Sequence, residues 1–275
     1  MNRTSVRVTL RTTTAALLTI PFLAPFFFLV TVALKTEADY RSSPIGLPSS
    51  ITFEHVADAW DRAGLGSALW NSLFTSAVGV VVACLLSMSA AFWFIIRRSR
   101  RAKGLRWAIV LGYAFPAVIW LIPLFVIMAR NGLTNDLIVL GIIYGVSNVP
   151  FGLYLVYTFY RQTLRSEIME AAAIDGATEL QQFRLIAVPL AKPAVTALAA
   201  LVFVWSFGDL LFAVTLLQDA AKWTIPIAAA TLVSRQNITA QAQAAAAFVA
   251  LVPSLLVVLF AQRALVRGFG GGSSD

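Results

Sequence analysis

Few residues in this 275-residue chain are equipped for covalent or acid–base chemistry. It holds one histidine, His55, and one cysteine, Cys84. A lone histidine leaves no His cluster for a metal and no Ser-His-Asp arrangement, and a lone cysteine excludes an internal disulfide. His55 reads as a surface residue, and Cys84, flanked by Val and Leu, as a small buried hydrophobe. No G-x-x-x-x-G-K-[ST] run occurs, and Gly270-Gly271-Gly272 precede no Lys, so the chain has no phosphate-cradling loop of that type. Metal, triad and nucleotide chemistry are excluded, and the chain reads as no enzyme. Two groups remain. Asp209 is a carboxylate inside an otherwise uncharged run, where it must face a protein interior or a wet path: packing or gating between subunits, or contact with a substrate. Asn148, with Tyr144 and Ser147 beside it, either lines a pore where Pro150 interrupts a helix or hydrogen-bonds between helices.

The elements that position these groups follow from composition. Hydrophobic residues make up 59% of the chain and charged residues 12%, too little polar surface to cover a water-soluble domain. Stretches without Asp, Glu, Lys or Arg run over 12–34, 63–96, 107–129, 137–160 and 236–262, and 193–218 is broken only by Asp209. Each reaches the roughly 20 residues that cross a bilayer, and lipid forces them to be helical. The expectation is an all-α polytopic membrane protein with six transmembrane helices.

Basic residues set its orientation. Arg3, Arg7, Arg11, the cluster from Arg97 to Arg106, Arg161, Arg165, Arg184, Lys192, Arg263 and Arg267 crowd one set of segments. The alternate set holds Lys35, Arg41, Arg62, Arg130, Lys222 and Arg235. Both termini are therefore expected to be cytoplasmic. The net charge of +8 is a topology signal; its residues are spread along loop edges and not interleaved with aromatics as on a nucleic-acid surface. The organisation expected is a cytoplasmic N-terminus (1–11), a first helix (12–34) uncleaved and kinked at Pro21 and Pro25, an extracytoplasmic segment (35–69), a core (70–265) and a cytoplasmic tail (266–275). Within 35–69, the spacing of Phe53, Val56, Ala57 and Trp60 predicts a short amphipathic helix.

Connections between neighbouring helices need only a few residues, yet the cytoplasmic loop 161–192 is far longer. Arg165-Ser166 to Gly176 reads as a short helix, capped by Ser166, started by Glu167 and Glu170 and ended at Gly176. Thr178 and Gln181 have capping-box spacing for a second helix, which Pro189 is expected to stop. Ala171, Ala172 and Ala173 leave a thin ridge that suits a groove in another protein, with Glu170 and Asp175 as flanking charges; a plain amphipathic surface helix is the competing account.

The pattern Glu170-Ala171-Ala172, three residues, Gly176, nine residues, Ile186, one residue, Val188-Pro189 resembles the EAA loop of the ABC-importer permeases, with Val188 where Leu is usual. Gly132-Leu133-x-Asn135, Pro150-Phe151, Asn71-Ser72 and Gln262-Arg263 extend the likeness to the sugar-importer class. Leu34-Lys35-Thr36 and Thr52-Phe53-Glu54 extend it to the maltose-transporter-type second permease. Phe207-Gly208-Asp209 departs from the usual Trp-Asn-acid, Asp136 stands in place of a frequent Thr, and the Gly-Ser tail lacks a basic ending.

The resemblance implies the type I importer permease fold, in the bacterial inner membrane. It implies a coupling helix at Glu170, Ala171, Ala172, Asp175, Gly176 and Ala177, with Ile186 and Pro189 completing the motif, docked on a cytoplasmic ATPase. It further implies a second homologous permease, which the first helix reaches across to meet, two ATPase subunits that use ATP and Mg, no cofactor on this chain, and an extracytoplasmic binding protein that delivers a sugar or oligosaccharide. A permease for glycerol phosphate, amino acids or peptides, a secondary-transporter half and a membrane scaffold are the rival readings. One intramembrane acid without matching broken halves argues against the second of these.

Overall fold

A computed structural model of the protein describes residues 3–97, 99–116, 118–234 and 239–269. The described residues are helical, with no strand among them. The Gly-Ser tail from 270 onward, the start of the predicted sixth span at 236–238, and the orienting charges Arg98 and Arg235 lie outside the described residues. The chain divides into two compact units, residues 1–66 with 228–252, and 67–227 with 253–275.

The helices are α1 (Arg3–Ala33), α2 (Glu37–Ser42), α3 (Glu54–Arg62), α4 (Leu65–Ile96), α5 (Arg100–Leu111), α6 (Val118–Arg130), α7 (Leu137–Ser147), α8 (Val149–Thr163), α9 (Ser166–Ile174), α10 (Glu179–Gln182), α11 (Val188–Leu190), α12 (Lys192–Phe207), α13 (Leu211–Leu216), α14 (Ile225–Ser234) and α15 (Ala240–Phe269). By length and composition α4 and α15 each suffice to cross a membrane.

Three of the expected spans are interrupted; the sequence analysis named the break at Pro150 and drew the other two as continuous helices. Residues 107–129 divide into α5 and α6 around a 3₁₀ turn at Gly112–Ala114, because Pro116 pushes Phe115 out of the helical region (φ −84°, ψ 123°). Residues 137–160 bend by 47° at Asn148, and Pro150, which has no N–H to offer, sits in the first turn of the next helix. Residues 193–218 separate into α12 and α13 at Gly208–Leu210.

In the second unit the helices approach through small residues. Gly141 and Gly145, one turn apart on α7, face Thr75, Val78, Gly79 and Val82 of α4. A Cβ on Gly141 would lie 2.6 Å from Val78 Cβ, and one on Gly145 would lie 2.5 Å from Val82 Cβ and 2.9 Å from the Gly79 carbonyl. Such close backbone approach drives helix association in lipid, where apolar burial gives no advantage. One core joins Ala83, Ala91 and Phe92 of α4 to Leu153, Val156 and Tyr160 of α8 and Leu198 and Val202 of α12. A second gathers Leu140 and Tyr144 with Ala213, Leu216, Leu217 and Ile227.

In the first unit, α3 forms over the predicted amphipathic stretch, with Ala59 buried. Lys35, read from the sequence as an outer-loop charge, is fully buried. Its ammonium donates to the carbonyls of Ser43 and Pro44, and these bonds compensate its removal from water. Thr36 caps α2, the Thr52 N–H donates to the Leu34 carbonyl, and Asp39 accepts from the Ser49 N–H, so residues 35–52 close into a tied loop.

Gly104, by contrast, has open space where a Cβ would stand. Gly104→Ala is expected to stabilise the purified protein by about 0.5–1 kcal/mol, the usual gain for Gly to Ala inside a helix. Gly145→Ala is expected to lower its melting temperature in detergent. A melting temperature unchanged or raised in Gly145→Ala would mean that α4 and α7 do not meet at this seam.

Candidate functional site

The 161–192 segment forms an elbow. The sequence analysis placed Ser166 as the cap of its first helix; instead Arg165 occupies the capping position without a side-chain bond, and Ser166 is the first helical residue. The end is as expected. Gly176 takes φ +82°, its N–H donates to the Ala173 carbonyl and the Ala177 N–H to the Ala172 carbonyl, which closes α9 in a Schellman turn. At Thr178 the capping box is complete: its N–H donates to Gln181 Oε1 at 2.8 Å, and the Gln181 N–H donates back to Thr178 Oγ1 at 3.3 Å. Gln182, buried, donates to the Ala177 carbonyl at 3.1 Å across the corner.

Pro189 does not stop the second helix as predicted. Residues Phe183–Ala187 widen into a π-helical turn in which the Val188 N–H reaches the Phe183 carbonyl. The widened turn places Pro189 at a fresh helix start, where its missing N–H is not required, and the chain continues to Leu190 before turning by 72° at Ala191 into α12.

The elbow has an anchored side and a bare side. Met169, Phe183 and Ile186 pack against the first core; the Phe183 ring lies 5.2 Å from that of Phe92, and the Tyr160 hydroxyl donates to the Ala187 carbonyl at 3.2 Å. Arg97 ties the corner to the end of α4 through Glu179 at 3.2 Å. Glu170, Ala171, Asp175, Gly176 and Pro189 are exposed, while Ala172 and Ala177 are half-buried. Ile186 therefore belongs to the anchor and not to the bare face. Ile174, 86% exposed, and Leu180 and Leu185 add apolar surface there that the sequence analysis passed over. At 100° per residue, Ile174 lies about 140° around α9 from Met169, which was the signal available.

The intramembrane polar residues meet at the helix breaks. Asp209 Oδ2 accepts from the Tyr144 hydroxyl at 2.9 Å and from the backbone N–H groups of Phe212 and Ala213 at 3.0 and 3.2 Å. It thereby satisfies the start of α13 as an N-terminal cap does and keeps the carboxylate partnered. Asn148 joins them only indirectly, its Nδ2 donating to the Tyr144 carbonyl at 2.8 Å, one of the groups freed by the bend. These side chains border a cavity of about 300 Å³ with Tyr113, Ser147 and Trp205, so residues from all three interrupted spans line one depression. Tyr113, Ser147 and Phe212 also line an adjoining apolar cleft of about 710 Å³.

At the far ends of these helices Asn135, with φ 60°, accepts on Oδ1 from the N–H groups of Gln218 and Asp219 at 2.6 and 2.8 Å. Asn71 Nδ2 donates to the carbonyls of Ala221 and Trp223, and Ser72 Oγ accepts from the Ile225 N–H at 2.8 Å. Asp136 caps α7.

Interrupted apolar helices around a polar cavity, with a braced elbow outside them, define a helical membrane permease. Residues 83–271 match the family described as binding-protein-dependent transport system inner membrane component, and the chain belongs to that family of ABC-importer permeases. It is 29% identical over 261 residues to the melibiose/raffinose/stachyose import permease protein MelC of Bacillus subtilis (strain 168), covering 94% of each chain. It is 28% identical over 270 residues to the maltose/maltodextrin transport system permease protein MalG of Salmonella typhimurium, covering 90% of this chain and 89% of that one. The fold is shared with a chain in the crystal structure of a bacterial ABC transporter involved in the import of the acidic polysaccharide alginate (TM-score 0.79, 19% identity, 96% and 98% coverage). The resemblance read from the EAA-type loop is thereby met.

Asp209→Ala leaves the Tyr144 hydroxyl and two amides without their acceptor and is expected to destabilise the protein by about 1–3 kcal/mol. Asp209→Asn, which keeps an acceptor oxygen, should cost less. In a double-mutant cycle with Tyr144→Phe, measured by unfolding in detergent, additive losses would show that the pair does not interact.

Proposed function

We propose that the chain is one permease subunit of an ATP-driven importer that carries a sugar or oligosaccharide, and that its elbow is the point at which a separate ATPase acts. The observation that carries the coupling role is the two-sidedness of the elbow, braced by Phe183, Ala187 and Tyr160 on one face and bare at Glu170, Ile174 and Gly176 on the other. The sugar class follows from the oligosaccharide-import relatives. On this reading the membrane core has six spans with both termini cytoplasmic, a homologous permease completes the path, two ATPase subunits bind ATP and Mg, and an extracytoplasmic binding protein supplies the cargo. Neither cofactor nor metal is assigned to this chain.

The geometry suits transmission. The elbow runs through the π-helical turn into α11 and then, by a 72° bend, into α12, whose far end is the break at Gly208–Leu210. Closure of an ATPase dimer against Ile174 and Gly176 would swing α12 as a lever and shift Asp209 and Trp205 at the cavity. In the sequence this proposal supports, closure turns the cavity outward to receive the cargo, and hydrolysis returns it inward.

Membrane vesicles holding the complete importer test this. At matched assembly, Gly176→Asp and Glu170→Ala are expected to abolish ATP-dependent uptake and to uncouple ATPase activity from the binding protein. Undiminished uptake in both variants would overturn the coupling role, and uptake without ATP would place the chain among secondary transporters.

A further inference from the structure

A cavity of about 720 Å³ opens where α4 ends, α5 begins and α8 ends, and Arg97, Lys103, Arg106, Arg161 and Arg165 all line it, with Glu167 as its one acid. Arg97 is engaged with Glu179. Lys103, Arg106, Arg161 and Arg165 have no ion-pair partner among the described residues. Four cations against the one carboxylate of Glu167 leave the chamber with an excess of positive charge, an arrangement that an anion relieves.

The chamber does not stand alone. Arg106, Tyr157 and Arg161 also line a second, narrower groove of about 360 Å³, which continues beside Trp107, Val110, Tyr154 and Thr158. It thus runs from the basic ends of α5 and α8 toward their apolar parts. Arg106 stands at the junction, its guanidinium 3.9 Å from the centre of the Tyr157 ring and 5.8 Å from that of Trp107. Those rings hold the cation between the two compartments.

A ligand that fits both must carry negative charge at one end and hydrocarbon at the other. We propose that the two cavities form a binding site for an anionic phospholipid of the inner leaflet, its phosphate among Lys103, Arg106 and Arg161 and the upper part of one acyl chain in the groove along Trp107 and Tyr154. Basic pockets between membrane helices at the cytoplasmic side hold such head groups. An acidic loop of a cytoplasmic protein would answer the charge but leave the groove at bilayer depth uncovered. Arg165 and Glu167 stand at the start of α9, so a head group here touches the base of the elbow and conditions its movement. The site rests on the inward placement of the 97–106 and 161–192 segments proposed above.

The test is native mass spectrometry of the detergent-purified importer complex with phosphatidylglycerol or phosphatidylcholine. The comparison is between the natural protein, the double variant Arg106→Gln with Arg161→Gln, and a control, Arg100→Gln with Arg101→Gln, whose residues line neither cavity. Retention of phosphatidylglycerol over phosphatidylcholine by the natural and control proteins, with an affinity loss of about thirtyfold in the double variant, is the expected result, the figure for two basic residues at a lipid surface. Equal retention of both lipids, retention unchanged in the double variant, or displacement by millimolar inorganic phosphate would overturn the lipid site. Loss of ATPase subunits from the double variant with lipid retained would assign the chamber to protein docking instead. Labelling of an Arg101→Cys variant from outside intact cells would overturn the orientation, whereas failed lipid retention with inside labelling overturns the lipid site alone.

Discussion

An amide or carbonyl that leaves a helix within hydrocarbon has no water to turn to, and this permease is arranged around the ways that need is met. Asn148 answers the carbonyl released at the bend between α7 and α8, and the Asp209 carboxylate answers the amides that open α13. Both answers pass through Tyr144, which gives its carbonyl to one and its hydroxyl to the other. Two interrupted spans are therefore joined at a single residue, and the cavity bordered by that residue is a consequence of how the breaks are stabilised. Prolines occupy the remaining awkward positions: Pro150 and Pro193 sit in the first turns of helices, where a donor would go unused.

The second constraint is distance. Helices α4 and α7 come together because Gly79, Gly141 and Gly145 present backbone to each other, and Ser87 of α4 fits against Gly152 of α8 in the same manner. The hydroxyls of Ser76, Ser87 and Ser206 have no hydrogen-bond partner among the described residues, and Ser87 and Ser206 lie against Gly152 and Gly79, where a larger side chain has no room. A core built this way is close-packed where helices touch, and its irregular backbone is confined to the breaks such as Gly208–Leu210.

What was legible in the sequence divides along physical lines. Runs free of charge located the apolar segments, because charge in hydrocarbon is penalised wherever it falls. Gly176 and the Thr178–Gln181 pair were legible because left-handed backbone and capping are local demands. Of the interruptions, only the one at Pro150 was read. Pro116 and Pro150 were visible, but whether a proline kinks or divides a span depends on what its neighbours offer the freed groups. Asp209 was singled out for its charge, whereas its partner Tyr144 lies 65 residues earlier and no spacing rule joins them. The burial of Lys35 was not legible for a related reason, since the loop that folds over it is a tertiary outcome. The π-helical turn before Pro189 has no signature in residue type, since it arises from two helices being joined in one continuous path.

Asn71, Ser72 and Asn135 grip the segment 216–225 entirely through its main chain. A clasp that touches only peptide groups is indifferent to which side chains it holds. The length of that segment is constrained, and Asp219 caps its turn by accepting from the Ala221 N–H at 3.0 Å, but the identities of Gln218, Ala220 and Lys222, all of them exposed, are not constrained by the clasp. That surface can change its side chains without disturbing the clasp beneath it, and the same segment offers a place to exchange residues between relatives at fixed length.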